Sequence, residues 1–166
     1  MTLDGRPRPR LTPARSGDDV SELDKRIIEH LQTDGRRPFT QIAAELGVSE
    51  AAVRARTNRL IERGILQVVG VTDPLKLGFH QMAMIGIRCE SDQLVSVAEQ
   101  VAEMPEVDYV VITAGTYDLL VETVCEDNEA LLRFLTEKLR AIGGVRETET
   151  FVYLRMVKQT YQWGTR

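Results

Sequence analysis

Three short runs of hydrophobic residues at helical spacing occupy the first part of the chain. The first run starts near Ser21 and places apolar residues three or four positions apart, at Leu23, Ile27, Ile28 and Leu31. The second lies between Pro38 and Gly47, and the third follows Ser49, a suitable N-cap, and ends at Gly64. The spacing therefore predicts three helices within about 45 residues, and the β-branched segment of residues 65–74, which ends at Pro74, predicts a strand or wing after them.

The second part of the chain mixes strand patterns with helix patterns. Residues 82–89, 107–113, 119–125 and 147–163 are typical of strands, because they are rich in β-branched and aromatic side chains. One predicted helix follows Ser91 as its cap, and another follows Asp127 and ends at Gly143 and Gly144. The order β-α-β-β-α-β predicts a ferredoxin-like domain, so the fold class is α+β.

The predicted sheet carries apolar residues on both faces. Two helices can cover only one face of four strands, yet segments such as VDYVVIT and FVYLRMV alternate apolar side chains toward both sides. A bare apolar face needs a partner. We therefore predict a homodimer in which two sheets pack face to face.

Composition is typical of a globular protein, with 43% hydrophobic and 28% charged residues. No apolar run approaches the roughly 20 residues that span a bilayer, and the first 20 residues hold three Pro and four Arg where a signal peptide needs an apolar stretch. We expect a cytoplasmic protein. Cys89 and Cys125 lie inside apolar runs without metal-ligand spacing, which favours a role as small core residues.

The net charge of −4 is unevenly distributed along the chain. Residues 1–20 hold four Arg against three Asp, and residues 21–70 hold eight basic against seven acidic side chains. Residues 71–166 hold nine basic against fifteen acidic side chains, so the acidity belongs to the second half. The asymmetry indicates that any contact with nucleic acid is confined to the first half.

The second and third predicted helices, joined through Gly47, form a helix-turn-helix pattern, whose second helix enters the DNA major groove. On a helical wheel one face carries Val53, Thr57, Leu60 and Ile61, which we expect to pack, and the opposite face carries Ala51, Arg54, Ala55 and Asn58. Small Ala side chains permit close approach to base edges. The fork of Arg54 fits guanine, and Asn58 fits adenine or a phosphate.

Residues beside this face are predicted to contact the DNA backbone. Arg56, Arg59 and Arg63 lie on its flanks, where either a phosphate contact or a salt bridge to the first helix is expected. Thr40, Gln41 and Ser49 lie near helix starts, where phosphates bind. The alternative is an amphipathic surface helix with a solvated Arg face, and Glu50 and Glu62 favour it because each repels phosphate.

Four segments together resemble the Lrp/AsnC family, the feast/famine regulators. They are LDKRIIEHLQTDGR, FTQIAAELGVSEAAVRARTNRLIERGIL, DPLKLG and AGTYDLLVETV, and the match runs from about Leu23 to about Lys158. The resemblance implies a transcriptional regulator that binds double-stranded DNA. It also implies a sheet-paired dimer, often assembled into tetramers or octamers, and a small effector such as an amino acid bound where dimers meet.

The resemblance also implies an effector site at the turn between the second and third strands. The family's Gly-x-Tyr-Asp stretch falls on Gly115, Thr116, Tyr117 and Asp118, with Thr116 where the family often carries an acidic residue. Gly115 would offer backbone donors to a carboxylate, and Asp118 would accept from an ammonium group. A plain hairpin turn is the alternative. Thr148 and Thr150 are weaker candidates for the pocket wall.

These expectations define the domain organisation and the competing functions. The prediction divides the chain into four segments. A disordered basic, Pro-rich leader (1–20) precedes a winged helix-turn-helix domain (21–66). A linker with a strand and a hinge (67–80) then leads to a ferredoxin-like effector-binding and oligomerisation domain (81–166). One alternative is a DNA-architectural protein without an effector. Another is an enzyme resembling sirohaem decarboxylases, but His30 and His80 are the only histidines, and no catalytic set, metal spacing or cofactor motif is present.

Overall fold

The computed structural model describes residues 20–160 and residue 165. The chain divides at Thr72 into two compact units. We call residues 20–71 the helical unit and residues 72–157 the sheet unit. The predicted disordered leader lies outside the described residues, apart from Val20. Every helix in the described ranges is too short or too polar to cross a membrane.

The helical unit contains three α-helices, as predicted. They are α1 (Glu22–Thr33), α2 (Phe39–Leu46) and α3 (Glu50–Glu62). Their apolar stripes meet in one buried core, since each helix presents residues three and four apart to its neighbours. The core consists of Ile27, Ile28, Leu31, Ile42, Ala43, Val53, Leu60 and Leu66.

Local capping fixes where these helices begin and end. Ser21 caps α1 in a capping box with Asp24, in which the Asp24 N–H donates to Ser21 Oγ at 3.2 Å and the Ser21 N–H donates to Asp24 Oδ2 at 3.1 Å. Gly47 ends α2 at a φ of 68°, a left-handed conformation that favours glycine. The Ala52 N–H donates to Ser49 Oγ at 3.2 Å and begins α3.

The sheet unit has the predicted β-α-β-β-α-β order. Its strands are β1 (Gln81–Cys89), β2 (Val107–Ile112), β3 (Leu119–Cys125) and β4 (Val145–Val152), and its helices are α4 (Leu94–Ala102) and α5 (Asn128–Arg133). A π-helical turn (Phe134–Lys138) and a 3₁₀ turn (Leu139–Ala141) extend α5. The strands pair antiparallel in the order β2-β3-β1-β4, which gives a ferredoxin-like sheet.

Both helices pack against one face of this sheet. Odd-numbered residues of β1 and β3, such as Ile85, Ile87, Leu119 and Val121, join α4 and the segment after α5 in a single buried core. Because side chains alternate along a strand, the even-numbered residues of β1 and β3, with their partners on β2 and β4, lie on the other face, which we call the open face. The open face carries Met82, Met84, Gly86, Arg88, Tyr109, Val111, Leu120, Glu122, Val124, Glu147, Glu149 and Phe151.

The predicted strand or wing over residues 65–74 is wrong. Residues 66–73 have no assigned strand, and a 3₁₀ turn at Pro74–Leu77 follows them. The β-branched residues that suggested a strand, Val68, Val69 and Val71, are exposed. A strand requires a neighbour that pairs with its backbone groups, and no described strand pairs with this segment.

Two further boundaries differ from their predictions. The last strand was predicted to continue to Trp163, but β4 ends at Val152, and residues 161–163 lie outside the described part of the chain. Its ladder partner β1 begins at Gln81, so residues beyond Val152 have almost no neighbour to pair with. Ser91 does not cap α4, because a turn over residues 91–93 intervenes and the helix begins at Leu94.

Candidate nucleic-acid interface and effector site

The outward face of α3 carries the four residues predicted to face DNA. Ala51, Arg54, Ala55 and Asn58 are all exposed. On the opposite side Val53, Thr57 and Leu60 are buried, as expected of the packing face. Ile61 was also expected to pack, but it is 44% exposed, because it lies about 80° around the helix from Val53, at the edge of the packed stripe.

The Arg54 side chain lies between the starts of two helices. Its Nη2 donates to Glu50 Oε1, one turn earlier on α3. Its guanidinium carbon also lies over the Phe39 ring, 5.4 Å from the ring centroid, and Phe39 is the first residue of α2. The candidate base reader is therefore positioned from two sides, while 59% of its side chain remains exposed.

Arg56 and Arg59 turn toward α1 rather than along the outward face. Arg56 Nη1 donates to Asp24 Oδ1 at 3.0 Å, and Arg59 Nη2 lies 3.5 Å from the same oxygen. These two arginines were expected either to contact phosphate or to form a salt bridge to the first helix, and the salt bridge is present. Phosphate contact by their remaining donors stays a prediction, since a guanidinium has five N–H groups.

Asp24 is the buried acceptor of this cluster, with only 3% of its side chain exposed. Burial alone would raise the pKa of Asp24. Hydrogen bonds from Ser21 and Arg56, together with the positive charge of Arg56, outweigh that effect and hold the pKa below its ordinary value of 3.8. The carboxylate is therefore ionised at neutral pH and ties α3 to the start of α1.

The three residues predicted to anchor phosphates lie at helix starts. Thr40 and Gln41 are exposed in the first turn of α2. Ser49 is exposed at the cap of α3, where its hydroxyl oxygen already accepts a backbone N–H. The arrangement leaves polar side chains beside the positive ends of two helix dipoles, a setting that suits anions.

In the sheet unit, the candidate effector residues form a tight turn between β2 and β3. The Asp118 N–H donates to the Ile87 carbonyl, and the Thr113 N–H donates to the Asp118 carbonyl, both at 2.9 Å. The Cys89 N–H donates to Asp118 Oδ2 at 2.8 Å, so one carboxylate oxygen fastens the turn to β1. Gly115 and Thr116 are exposed at its tip.

Tyr117 lies on the open face, over Gly86 of β1. A Cβ atom at position 86 would lie 2.6 Å from the Tyr117 ring, so only glycine allows the ring this close. Phe151 meets the ring edge-on at a centroid distance of 6.3 Å, and the Arg88 guanidinium carbon lies 6.0 Å from the centroid. Arg88 Nε also donates to the Thr116 carbonyl at 3.0 Å, which holds the turn in place.

Thr148 and Thr150 lie on the opposite face from Tyr117. Their Cα partners are Ile87 and Ile85, whose side chains enter the core, so both threonines face the helices. Thr148 lines a cleft of about 520 Å³ together with Arg140, Val145, Arg146 and Glu147. The turn of residues 115–118 does not line this cleft, so one chain does not bring the two sets of effector candidates together.

The thiols and histidines have structural surroundings. Cys89 and Cys125 are buried, and burial raises the pKa of both thiols, with nearby Asp118 and Glu106 adding to the effect. His30 Nδ1 lies 2.9 Å from Arg37 Nη1, in the local contact expected of a helix residue, and His80 is exposed. Within residues 20–160, His, Cys, Asp and Glu side chains form no cluster that could hold a metal ion.

Two contributors to these sites were not identified from the sequence. Asp24 follows Ser21 by three positions, and that spacing of a capping box could have revealed its role at the start of α1. Its contact with Arg56 spans 32 positions and has no local signal. Arg88 contacts Thr116 across 28 positions, and only the strand register brings them together.

Comparison with protein families yields two matches that follow one another along the chain. Residues 20–61 match the AsnC-type helix-turn-helix domain, and residues 82–163 match the Lrp/AsnC ligand binding domain. An uncharacterised HTH-type transcriptional regulator of Pyrococcus abyssi is 37% identical over 146 residues, which cover 87% of this chain and 90% of that protein.

Solved structures have the same fold. AsnC of E. coli is similar with a TM-score of 0.76 and 25% identity, covering 84% of this chain and 95% of that one. The transcriptional regulator NMB0573 of Neisseria meningitidis, solved as a complex with L-Met, has a TM-score of 0.77 and 23% identity, covering 86% of this chain and 95% of that one.

Proposed function

Because the chain belongs to the Lrp/AsnC family of transcriptional regulators, we propose that it reads its DNA sites through the outward face of α3 and responds to an amino acid. The helical unit is its DNA-binding domain and the sheet unit its ligand-binding domain. Arg54 and Asn58 read base edges, Ala51 and Ala55 allow close approach, and the residues at helix starts contact phosphates.

The exposed face of α3 is the observation that carries this proposal. It combines a long basic fork at Arg54 with small neighbours at Ala51 and Ala55, on a helix whose other side is fixed in a core. A bidentate Arg–guanine pair needs a rigid helix and unobstructed access to the groove. The packed opposite side of α3 and the exposure of the Arg54 side chain support both conditions. We propose that the protein binds its DNA sites in the cytoplasm.

The open face supports a homodimer. It carries apolar and aromatic side chains, among them Met84, Leu120 and Phe151, beside charged ones such as Arg88 and Glu122, and the helices of the sheet unit pack against the other face. An apolar surface of this kind is stabilised by burial against a partner, and identical chains offer identical faces. We propose that two sheets pair on this face and that such dimers assemble further into tetramers or octamers.

The turn at Gly115–Asp118 supports an amino-acid site. One oxygen of Asp118 is used by the Cys89 N–H, and a carboxylate has further lone pairs with which to accept from an α-ammonium group. The regulator from Neisseria meningitidis was solved with L-Met. Thr148 faces a separate cleft. We therefore propose that the turn at Gly115–Asp118 in one dimer and the cleft lined by Thr148 in another come together when dimers assemble.

Two alternatives are separated by different observations. Both matched domains are regulatory, and the P. abyssi relative is named as a transcriptional regulator. The chain is therefore a regulator and not an enzyme. A DNA-architectural protein without an effector shares every DNA-binding feature. It differs only in the turn, so a response to an amino acid separates the two.

Selection of DNA from a random-sequence library tests the DNA-binding proposal. The full-length protein should enrich one related set of sites, and its affinity for them should exceed that for scrambled DNA by about a thousandfold or more at physiological salt. Scrambled DNA of equal length serves as the control. Enrichment of no common sequence would contradict sequence-specific reading.

A thermal-shift screen of the twenty amino acids, paired with size measurement, tests the effector and the assembly together. A ligand present at a free concentration of 100 times its dissociation constant stabilises the folded state by about 2.7 kcal/mol. A true effector should therefore raise the melting temperature. It should also change the distribution of dimers and larger assemblies. Sequence-specific DNA binding without response to any amino acid would favour the architectural alternative.

A further inference from the structure

We propose that Glu50 and Phe39 are specificity-determining residues, which hold the Arg54 guanidinium in the orientation that reads a base. Arg54 is the residue that touches the base, and the other two position it. This inference rests on the proposed function, in which Arg54 contacts a base edge. It adds a role for an acidic residue that would otherwise only repel the phosphates of DNA.

The two contacts approach Arg54 from different helices. Glu50 is the first residue of α3 and accepts from Arg54 Nη2, while Phe39 begins α2 and presents its ring face to the guanidinium at 5.4 Å. A carboxylate restrains one edge of the fork, and a ring face attracts the cation from a second direction. With both contacts made, the remaining guanidinium donors are available to a base on the exposed side.

Preorganisation explains why this arrangement favours specific binding. A free Arg side chain has many rotamers, and ordering it on DNA lowers affinity. When Glu50 and Phe39 order it in the folded protein, that cost no longer falls on the DNA complex. The gain in affinity is largest where the Arg54 guanidinium meets its matching base. At another base the ordered guanidinium makes no such contact, so its order adds little to affinity.

The charge of Glu50 does not itself produce specificity. A carboxylate at the DNA surface opposes phosphate contacts in specific and non-specific complexes alike, so this repulsion lowers both affinities and cancels in their ratio. The contribution of Glu50 to specificity therefore comes from the orientation that it gives the Arg54 guanidinium.

A purely structural role for Glu50 predicts a different result. An acidic residue in the first turn stabilises a helix through its dipole, so its loss would lower thermal stability without changing base preference. Base preference at one position is thus the readout that separates positioning from helix stabilisation. Glu62 offers a matched control, because it is an exposed acidic residue of α3 that lies about 18 Å further along the helix.

The experiment measures affinity for the selected site, for its single-base variants and for scrambled DNA. The variants are Glu50→Gln, Phe39→Leu, Arg54→Ala and the double variant Glu50→Gln/Arg54→Ala, with Glu62→Gln as the control of equal charge change. Glu50→Gln should lower discrimination about fivefold at the base pair that Arg54→Ala also affects. Phe39→Leu should act at the same base pair, and Glu62→Gln should leave it unchanged.

Three results would overturn the inference. Equal effects of Glu50→Gln and Glu62→Gln would reduce the role of Glu50 to bulk charge. An undiminished effect of Glu50→Gln in the Arg54→Ala background would mean that it does not act through Arg54. Full discrimination by a folded Glu50→Gln protein would remove the role outright. Failure of the proposed function is distinguishable, because the unsubstituted protein would then select no common site or Arg54→Ala would leave base preference intact.

Discussion

The candidate DNA-binding residues come mostly from one 13-residue helix, whereas the candidate effector residues come from a turn and from a strand two places away in the sheet. In the helical unit, Arg54 is held by neighbours one turn away and at the start of the preceding helix. In the sheet unit, Tyr117 and Thr148 point to opposite faces of the same sheet. A helix presents a complete surface within one chain, but a sheet divides its candidates between two surfaces.

Under the proposed function, the two regions should therefore depend differently on assembly. The outward face of α3 is exposed and complete in one copy, so substitutions there should change DNA binding without changing association. In the proposed assembly, the open face and the cleft near Thr148 are each completed by a second chain. Changes on the open face should therefore alter association first and effector response as a consequence.

The largest expected effect is that of a charge placed on the open face. Leu120→Arg would bury an unpaired guanidinium in the proposed sheet-to-sheet interface, at a cost of more than about 3 kcal/mol, and should convert dimers to monomers. Sedimentation or size measurement checks this. Val95→Arg is the control, because Val95 is exposed on α4 in the helix layer. A Leu120→Arg protein that remains dimeric would place the interface elsewhere.

A smaller effect is expected where Tyr117 covers Gly86. Gly86→Ala adds a methyl group 2.6 Å from the ring, so the ring must move or the strands must shift, at about 1–3 kcal/mol of folding stability. Thermal or denaturant unfolding measures the loss. Tyr117→Leu should relieve the clash and restore much of it in the double variant. Wild-type stability of Gly86→Ala alone would mean that the ring is readily displaced.

Next in size is the buried carboxylate that joins α1 to α3. Asp24→Asn should cost about 1–2 kcal/mol, because the neutral amide accepts more weakly from the two arginines. The pKa of Asp24 is lower in the folded chain than its ordinary 3.8, so its stabilisation is complete above that value and is lost as pH falls through the folded-state pKa.

The pH dependence supplies the control for Asp24. The stability of the unsubstituted protein should decline more steeply below pH 4 than that of Asp24→Asn, which lacks the titrating group. Denaturant unfolding between pH 5 and pH 3 compares the two proteins. Parallel curves would show that Asp24 does not contribute to the acid sensitivity of the helical unit.

The smallest change in stability is expected at Asp118, where the effect should appear in effector response. Asp118→Asn retains an oxygen that accepts from the Cys89 N–H, so folding should change by less than about 1 kcal/mol. The lost charge should abolish the thermal shift produced by an amino acid and leave effector-free DNA binding intact. A retained shift would move the proposed site away from this turn.

Local spacing predicted the elements well and the contacts between them poorly. The three helices, the succession of strands and helices along the chain and the exposed face around Arg54 follow from apolar periodicity and from caps such as Ser21 and Ser49, which depend on neighbours in sequence. The predicted strand over residues 65–74 failed because β-branched residues indicate a strand only where a ladder partner exists.

The candidate effector site shows the same limit. Thr148 was predicted as a wall of the effector site at the turn of residues 115–118, but strand alternation places the side chains of Thr148 and Tyr117 on opposite faces of the sheet. The ring of Tyr117 over Gly86 depends on register, and so does the bond from Arg88 to Thr116. A register cannot be read from one sequence, because a shift of one residue reverses every face.

Base preference of Arg54→Ala tests the central claim most directly. Binding to the selected site and to each of its single-base variants should show a loss of about 1–3 kcal/mol at the site, with discrimination lost at one base pair and dimerisation unchanged. Arg63→Ala, at the end of the same helix, should weaken binding to all sequences alike. An Arg54→Ala protein with the full sequence preference of the unsubstituted chain would contradict base reading by the outward face of α3.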